Sequence, residues 1–349
     1  MSNPKRPPLF SLQSIRLRIA LLMMYAMLCT LAIRSNLGVT IVCMVNSTAV
    51  QSREPPLSAP ESAIDCPASV GQSYQDFGYD GTLLWDSHTQ GLMYSAISIG
   101  SFVVLLPSGY CADRYSPRIL AFGGLMVSAI ITYLSPLIAN HSAYGFVAAR
   151  FLLGCAYGFI IPSMTAIASR WFVPNERSTL NAIYTSGVQI AGVFLGLVTP
   201  PLCSLKTLGG WATVYYLCAT LAVVWGGLWL LFSSNYAEKN RSIGDQEREY
   251  IVRHVVVKKG QKTGLFPWRK ALVSAPFLAV LFARVTLVTQ QQVTTFYTSS
   301  FIRDVLRADL KSNGLFTTLP YIAQFFSKIA ISGLADYLKQ QELLTHTAS

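Results

Sequence analysis

Eight stretches of this chain are long and apolar enough to cross a lipid bilayer, and that feature decides the class of fold. They lie at about 19–45, 89–111, 119–139, 144–168, 180–200, 212–233, 272–298 and 313–334. A span needs about 20 mainly apolar residues. In hydrocarbon every backbone N–H and C=O must be satisfied within the segment, so these stretches are expected to be helices. The fold expected is therefore an all-α polytopic membrane protein. The sixth stretch is the clearest. The seventh is the most polar, because Gln290, Gln291, Gln292, Thr294 and Thr295 fall in its second half. Composition agrees: 12 % of the 349 residues are charged, against about 25 % in soluble domains. The first stretch follows a basic start, is too long for a signal-peptide core and has no small-residue cleavage site behind it, so it reads as a retained span.

The net charge of +11 would suggest nucleic acid in a soluble protein, but its placement gives another reading. Eighteen of the 27 Lys and Arg lie in the termini and even-numbered connections, and five lie in the odd-numbered ones. Basic connections stay in the cytoplasm. Both termini, 1–18 and 337–349, are thus expected to be cytoplasmic, and no nucleic-acid partner is implied. The loop 46–88 falls outside and holds six acids and the sequon at Asn46, the candidate glycosylation site. The segment 234–271 is a cytoplasmic linker with nine basic residues. It reads as a solvated helix or, alternatively, as a contact surface for anionic lipid. The spans then divide into a six-helix bundle, 19–233, and two further helices within 272–336.

Four basic residues remain inside spans, Arg34, Arg150, Arg284 and Lys328, and no acid does. A buried Arg costs about 2.5–3.5 kcal/mol or more on insertion scales. With no carboxylate beside it, its partner is backbone carbonyl, water or a bound anion. A path lined by such guanidinium groups favours a small anionic substrate, since Arg presents a planar fork to carboxylate or phosphate. Lys328 is near enough to a span end to snorkel. The four His are scattered in loops, and no Cys or His spacing suits a metal, so neither an enzyme nor a metal centre is expected. Cys66 and Cys203 read as loop cysteines, and whether they pair stays open.

Between the second and third spans the sequence runs Gly109-Tyr-Cys-Ala-Asp113-Arg114-Tyr-Ser-Pro-Arg118, and a degenerate copy, Ser332-Gly-Leu-Ala-Asp336, follows the eighth. This pair resembles the G-x-x-x-D-R-x-G-R/K signature of the major facilitator superfamily, with Ser116 in place of the second glycine. The stretches RSNLGVTIVCMVN from Arg34, WDSHTQGL from Trp85, RFLLGCAYGFIIP from Arg150 and WFVPNERS from Trp171 resemble its anion transporters. These include sialin, the vesicular glutamate transporters and the sodium/phosphate cotransporters. NGLFTTLPYIAQ, from Asn313, resembles their eighth helix.

The resemblance implies a twelve-helix fold of two six-helix halves, moving anions by alternating access. It places Arg34 and Arg150 on arginines of the anion pathway. It assigns Gly109, Asp113, Arg114, Arg118 and Asp336 to a conformational latch, and Gly154, Gly158 and Pro162 to packing and kinking of the fourth helix. Tyr157 stands where many members carry a proton-coupling Glu, and Tyr94 where the glutamate members carry a His. The candidate substrate contacts are therefore Arg34, Arg150, Tyr94, Tyr157 and, on its charge alone, Arg284. The two tyrosines argue against proton coupling of the sialin or glutamate type. The coupling ion, Na+ or H+, stays open, as do a passive anion path and the choice between plasma membrane and endolysosomal or vesicular membrane. No cofactor is implied. Eight spans where the family has twelve suggest a truncated form or fragment, so the alternative to transport is a non-transporting chain that associates with a full-length homologue.

Overall fold

The computed structural model describes residues 9–11, 14–46, 81–205, 209–240, 243–255, 273–306 and 309–340. Helices α1 (Ile15–Met44), α2 (Ser87–Arg114), α3 (Pro117–His141), α4 (Ala143–Tyr157) and α5 (Ile160–Trp171) come first. They are followed by α6 (Arg177–Thr185), α7 (Gly187–Ser204), α8 (Trp211–Phe232), α9 (Asp245–His254), α10 (Ala275–Asp304) and α11 (Leu310–Gln340). Each of the eight apolar stretches falls on a helix or a broken helix, as an all-α membrane fold requires. Among the described residues five rods are long and apolar enough to cross a membrane by length and composition: α1, α3, α4 with α5, α6 with α7, and α8. Helices α2, α10 and α11 are equally long but more polar.

Local chemistry sets the ends and the breaks. Ser14, Ser116 and Ser142 accept backbone N–H bonds as N-caps of α1, α3 and α4. The rod of α4 and α5 breaks between Tyr157 and Ile160. Pro162 has no N–H to give the Gly158 carbonyl, which loosens the turn there. The rod of α6 and α7 breaks at Ser186, where Thr185 and Ser186 hydroxyls donate back to the Asn181 and Ala182 carbonyls at 2.6 Å each; such back-bonding bends helices. The turn into α8 uses Gly209 and Gly210 at φ of 89° and 56°, a region that favours glycine.

Helix α1 is central, packing on α6, α7, α8 and α10. Small residues set the closest approaches. A Cβ on Gly154 of α4 would collide with the Ile97 carbonyl of α2, and one on Gly192 of α7 with the Tyr321 ring of α11. Two apolar cores result. One surrounds Trp171, Trp225 and Trp229, whose indole N–H groups donate to the carbonyls of Ser234, Leu22 and Arg118 at 3.0, 2.9 and 3.0 Å. The other, toward the opposite face, gathers Trp85, Phe146, Trp211, Tyr215 and Phe296.

Several expectations are corrected here. Arg16, counted with the basic residues of the N-terminus, is fully buried and lies within α1. It pairs with Glu176 and with Glu247, the latter at 2.9 Å, and lies 5.0 Å from the Tyr250 ring. Glu247 also accepts from the Ser14 hydroxyl and from the backbone N–H groups of Ile15 and Arg16 at 3.1, 3.0 and 3.2 Å. The linker helix α9 is therefore docked rather than solvated, because Glu247, Tyr250 and Ile251 face the bundle. The lipid-contact alternative rests on all nine basic residues of the linker, and those from Lys258 to Lys270 lie outside the described residues. At the other face Cys203 sits in the last turn of α7, not in a loop, and is bonded to Cys43 at the end of α1. Cys66 lies outside the described residues. Arg303, counted in an outer loop, is buried in the last turn of α10.

Candidate functional site

The apolar run of α1 is interrupted by Arg34, Ser35 and Asn36, and each meets a different surrounding. Arg34 donates to the Tyr157 hydroxyl at 3.1 Å, and its guanidinium carbon sits 4.8 Å from the centre of that ring. Tyr157 ends α4 at the break, which is what lets its ring reach α1. Both side chains line a cavity of about 610 Å³, together with Ser98 and Ser101 of α2 and Thr289 and Gln292 of α10. Apolar residues such as Phe102, Ile161 and Phe296 complete the wall. The Arg34 Nε is buried and makes no hydrogen bond among the described residues.

Arg150 is placed differently. It is 2 % exposed, and its Nη2 donates to Asn36 Oδ1 at 3.0 Å and the Tyr215 hydroxyl at 2.9 Å. The rings of Phe146 and Tyr215 lie 4.9 and 5.6 Å from its guanidinium carbon. It is not on the cavity wall, and its Nε makes no hydrogen bond among the described residues. Among the described residues no ion pair involves Arg34, Arg150, Arg284 or Lys328. Phenol and amide oxygens take the place of carboxylates, so the positive charge is solvated but not cancelled. Asn36 and Tyr215 were absent from the expected set. The only sequence signal for Asn36 was its place beside Arg34 in an apolar run; Tyr215 had none.

The remaining expected residues divide. Tyr94 is 8 % exposed and packs on Phe296 and Tyr297 of α10, with ring centres 5.0 and 5.5 Å away. It touches the far side of Phe296 and is not on the cavity wall. Arg284 is exposed on α10 and is not brought to the cavity. Lys328 does not snorkel but donates to Thr185 across α6. At the signature, Arg114 donates to Tyr110 one turn back on α2, at 2.6 Å. Arg118 joins α3 to the end of α8, donating to the Ser233 hydroxyl at 3.0 Å and to the Leu230 carbonyl. Ser116 and Asn235 bond to each other there as well. A Cβ on Gly109 would meet open space, and one on Gly158 would touch Val104 at 3.3 Å. The side chains of Asp113 and Asp336 lie outside the described residues. Pro162 is in the first turn of α5. Asn46 follows α1 directly, its N–H donating to the Leu83 carbonyl at 3.0 Å; the rest of its sequon is outside the described residues.

With this geometry in hand, the chain can be compared with known proteins. The Major Facilitator Superfamily model matches residues 19–348. The chain is 30 % identical to the uncharacterized transporter slc-17.3 of Caenorhabditis elegans, over 98 % of this chain and 68 % of that protein. It is 30 % identical to a putative inorganic phosphate cotransporter of Drosophila melanogaster, over 90 % of this chain and 59 % of that one. It is 27 % identical to the sialin of Homo sapiens, over 93 % and 64 %. The chain thus spans roughly two thirds or less of the length of these relatives. Among solved structures it resembles a bacterial homologue of the human lysosomal transporter Spinster, inward-facing and unoccupied. The TM-score is 0.56 at 12 % identity, over 94 % of this chain and 64 % of that one, a likeness of fold. The chain belongs to the major facilitator superfamily, as a multi-pass membrane member of its family of sialin and sodium-dependent phosphate transport proteins, which are transporters and not enzymes.

Proposed function

We propose that this protein is a secondary transporter of small organic or inorganic anions, working by alternating access with Arg34 as the principal contact. The observation that carries the reading is the Arg34 guanidinium on the wall of a 610 Å³ cavity, with a buried Nε left without a partner. A carboxylate or phosphate oxygen would satisfy that donor and cancel the charge in one step. Arg150 supports the site from behind by holding Asn36, two residues along α1, and by adding a second uncancelled charge. The relatives' names point the same way, since they include phosphate cotransporters and sodium-dependent phosphate transport proteins. The coupling ion in this reading is Na+ or H+. Tyr157 stands where many members of the family carry a proton-coupling Glu, which favours Na+.

The same reading places both termini in the cytoplasm. The excess of Lys and Arg in the even-numbered connections supports it. So does the Cys43–Cys203 disulfide, which lies at the face opposite the start of α1. Disulfides persist on the extracellular or lumenal side of a membrane. Arg118, tying α3 to the end of α8, is the strongest latch candidate in the signature. The test is uptake of labelled phosphate and of labelled organic anions by vesicles holding the purified protein, beside its Arg34→Ala variant. Uptake that vanishes in the variant while membrane insertion is kept is the expected result. Equal uptake by both would remove Arg34 from the path.

A further inference from the structure

The cavity beside Arg34 presents one charge and a largely apolar wall. Among the described residues Arg34 is the only charged side chain on that wall. Phe102 and Leu105 of α2, Ile161 of α5 and Val288, Val293 and Phe296 of α10 face the same space. The guanidinium is itself partly engaged. Its Nη1 donates to the Tyr157 hydroxyl at 3.1 Å, and the ring of that tyrosine lies against it. What is left is the edge at Nε, which makes no hydrogen bond among the described residues. The Ser101 hydroxyl is engaged as well, donating to the Ser98 carbonyl at 2.9 Å. A volume of about 610 Å³ falls within the roughly 300–1,000 Å³ of sites that hold drug-sized molecules.

We infer that the cargo of this cavity is a monovalent organic anion with an apolar, ring-sized body, and that inorganic phosphate is discriminated against. The inference rests on reading the cavity as the anion path, and it assigns the cargo of that path. One carboxylate fits the open edge of Arg34 and balances its single charge. The rest of such a molecule lies against Phe102, Ile161 and Phe296, where apolar surface removed from water adds to binding. Phosphate has no such body. Near neutral pH it carries more negative charge than one guanidinium balances, spread over oxygens on every side of the ion. Those turned toward Phe102 and Val288 would give up water and receive no donor in return, which is costly in an apolar site.

The experiment measures binding by calorimetry to the purified full chain in lipid nanodiscs, with empty nanodiscs as the background for partition into lipid. The probes are acetate, benzoate, naphthoate and inorganic phosphate. The three carboxylates share one charged group and differ in apolar body. Affinity is expected to rise from acetate to naphthoate by at least about tenfold. Phosphate is expected to bind more weakly than benzoate. Phe102→Ala takes one ring from the wall, and because that ring is 76 % exposed the packing of the bundle is kept. The variant is expected to weaken naphthoate by at least about threefold and to leave acetate unchanged. Phosphate bound as tightly as benzoate, or equal affinity for the three carboxylates, would overturn the inference. So would naphthoate binding that is unchanged in both Phe102→Ala and Ile161→Ala. A flat series that is still lost in Arg34→Ala would overturn the inference and leave the Arg34 path standing. A graded series that persists in Arg34→Ala would remove the path and the inference together.

Discussion

Arg16 and Arg34 sit on one helix, eighteen positions apart, and are held in opposite ways. Arg16, at the start of α1, has two carboxylates and an aromatic ring around it and is fully buried. Arg34, in the middle, has a phenol and an open Nε. The far end of α1 is tied again, by the Cys43–Cys203 disulfide. The helix is thus anchored at both ends and left electrically unsatisfied between them. A buried ion pair adds little net stability, but breaking it by removing one partner strands a charge. An uncancelled arginine does the reverse: it costs stability at rest and gains when an anion arrives. The difference separates charge that holds the helix from charge left for a ligand.

The contrast can be broken at four points. The largest effect is expected from Glu247→Ala, which takes from buried Arg16 one of its two carboxylates and from the Ile15 and Arg16 N–H groups their acceptor. A loss of about 3–5 kcal/mol of stability is expected, read as a fall in the thermal midpoint in detergent. If the midpoint holds, Arg16 is not the anchor described. Cys203→Ser should cost about 2–4 kcal/mol in the same measurement. Peptide mapping without reductant should find Cys43 joined to Cys203, and a Cys66–Cys203 peptide would contradict the fold. Arg34→Ala should leave the midpoint nearly unchanged yet weaken anion binding by about 1.5–3 kcal/mol, roughly ten- to hundredfold in Kd. A variant that unfolds instead would place Arg34 among the anchors. The smallest effect belongs to Tyr157→Phe, which loses one hydrogen bond and keeps the ring face over Arg34. A change of about 0.5–1.5 kcal/mol in anion affinity is expected, and complete loss of uptake would show that the hydroxyl itself carries the ligand.

Much of this organisation was legible in the sequence, because membrane helices announce themselves by length and apolarity. The helices on all eight apolar stretches and the interruption at Arg34 came from that signal. The misplacements share one cause: position along the chain was taken for depth in the fold. Arg16 precedes the apolar run and was counted with the N-terminus, but Glu247, 231 positions away, holds it inside. Arg303 was given to a loop because its helix runs past the apolar stretch. Cys43 read as a small hydrophobe, and nothing near it in sequence points to Cys203. Tyr94 and Tyr157 were both expected on the path, yet Tyr157 lines the cavity while α10 covers Tyr94. Tyr215, which holds Arg150, lies in the most uniformly apolar span, where a single hydroxyl leaves no pattern.

The grip of Glu247 on the first turn of α1 also makes the linker a matter of counting. A helix advances about 100° per residue, so one residue added or deleted between Asn240 and Glu247 would swing that carboxylate to the solvent side of α9. The outward positions of α9, among them Glu249 and Val252, accept changes of identity at little cost. Changes of number do not have that freedom. The segment joining the bundle to the helices beyond it is therefore specified less by its letters than by its spacing, as a key is by the position of its teeth.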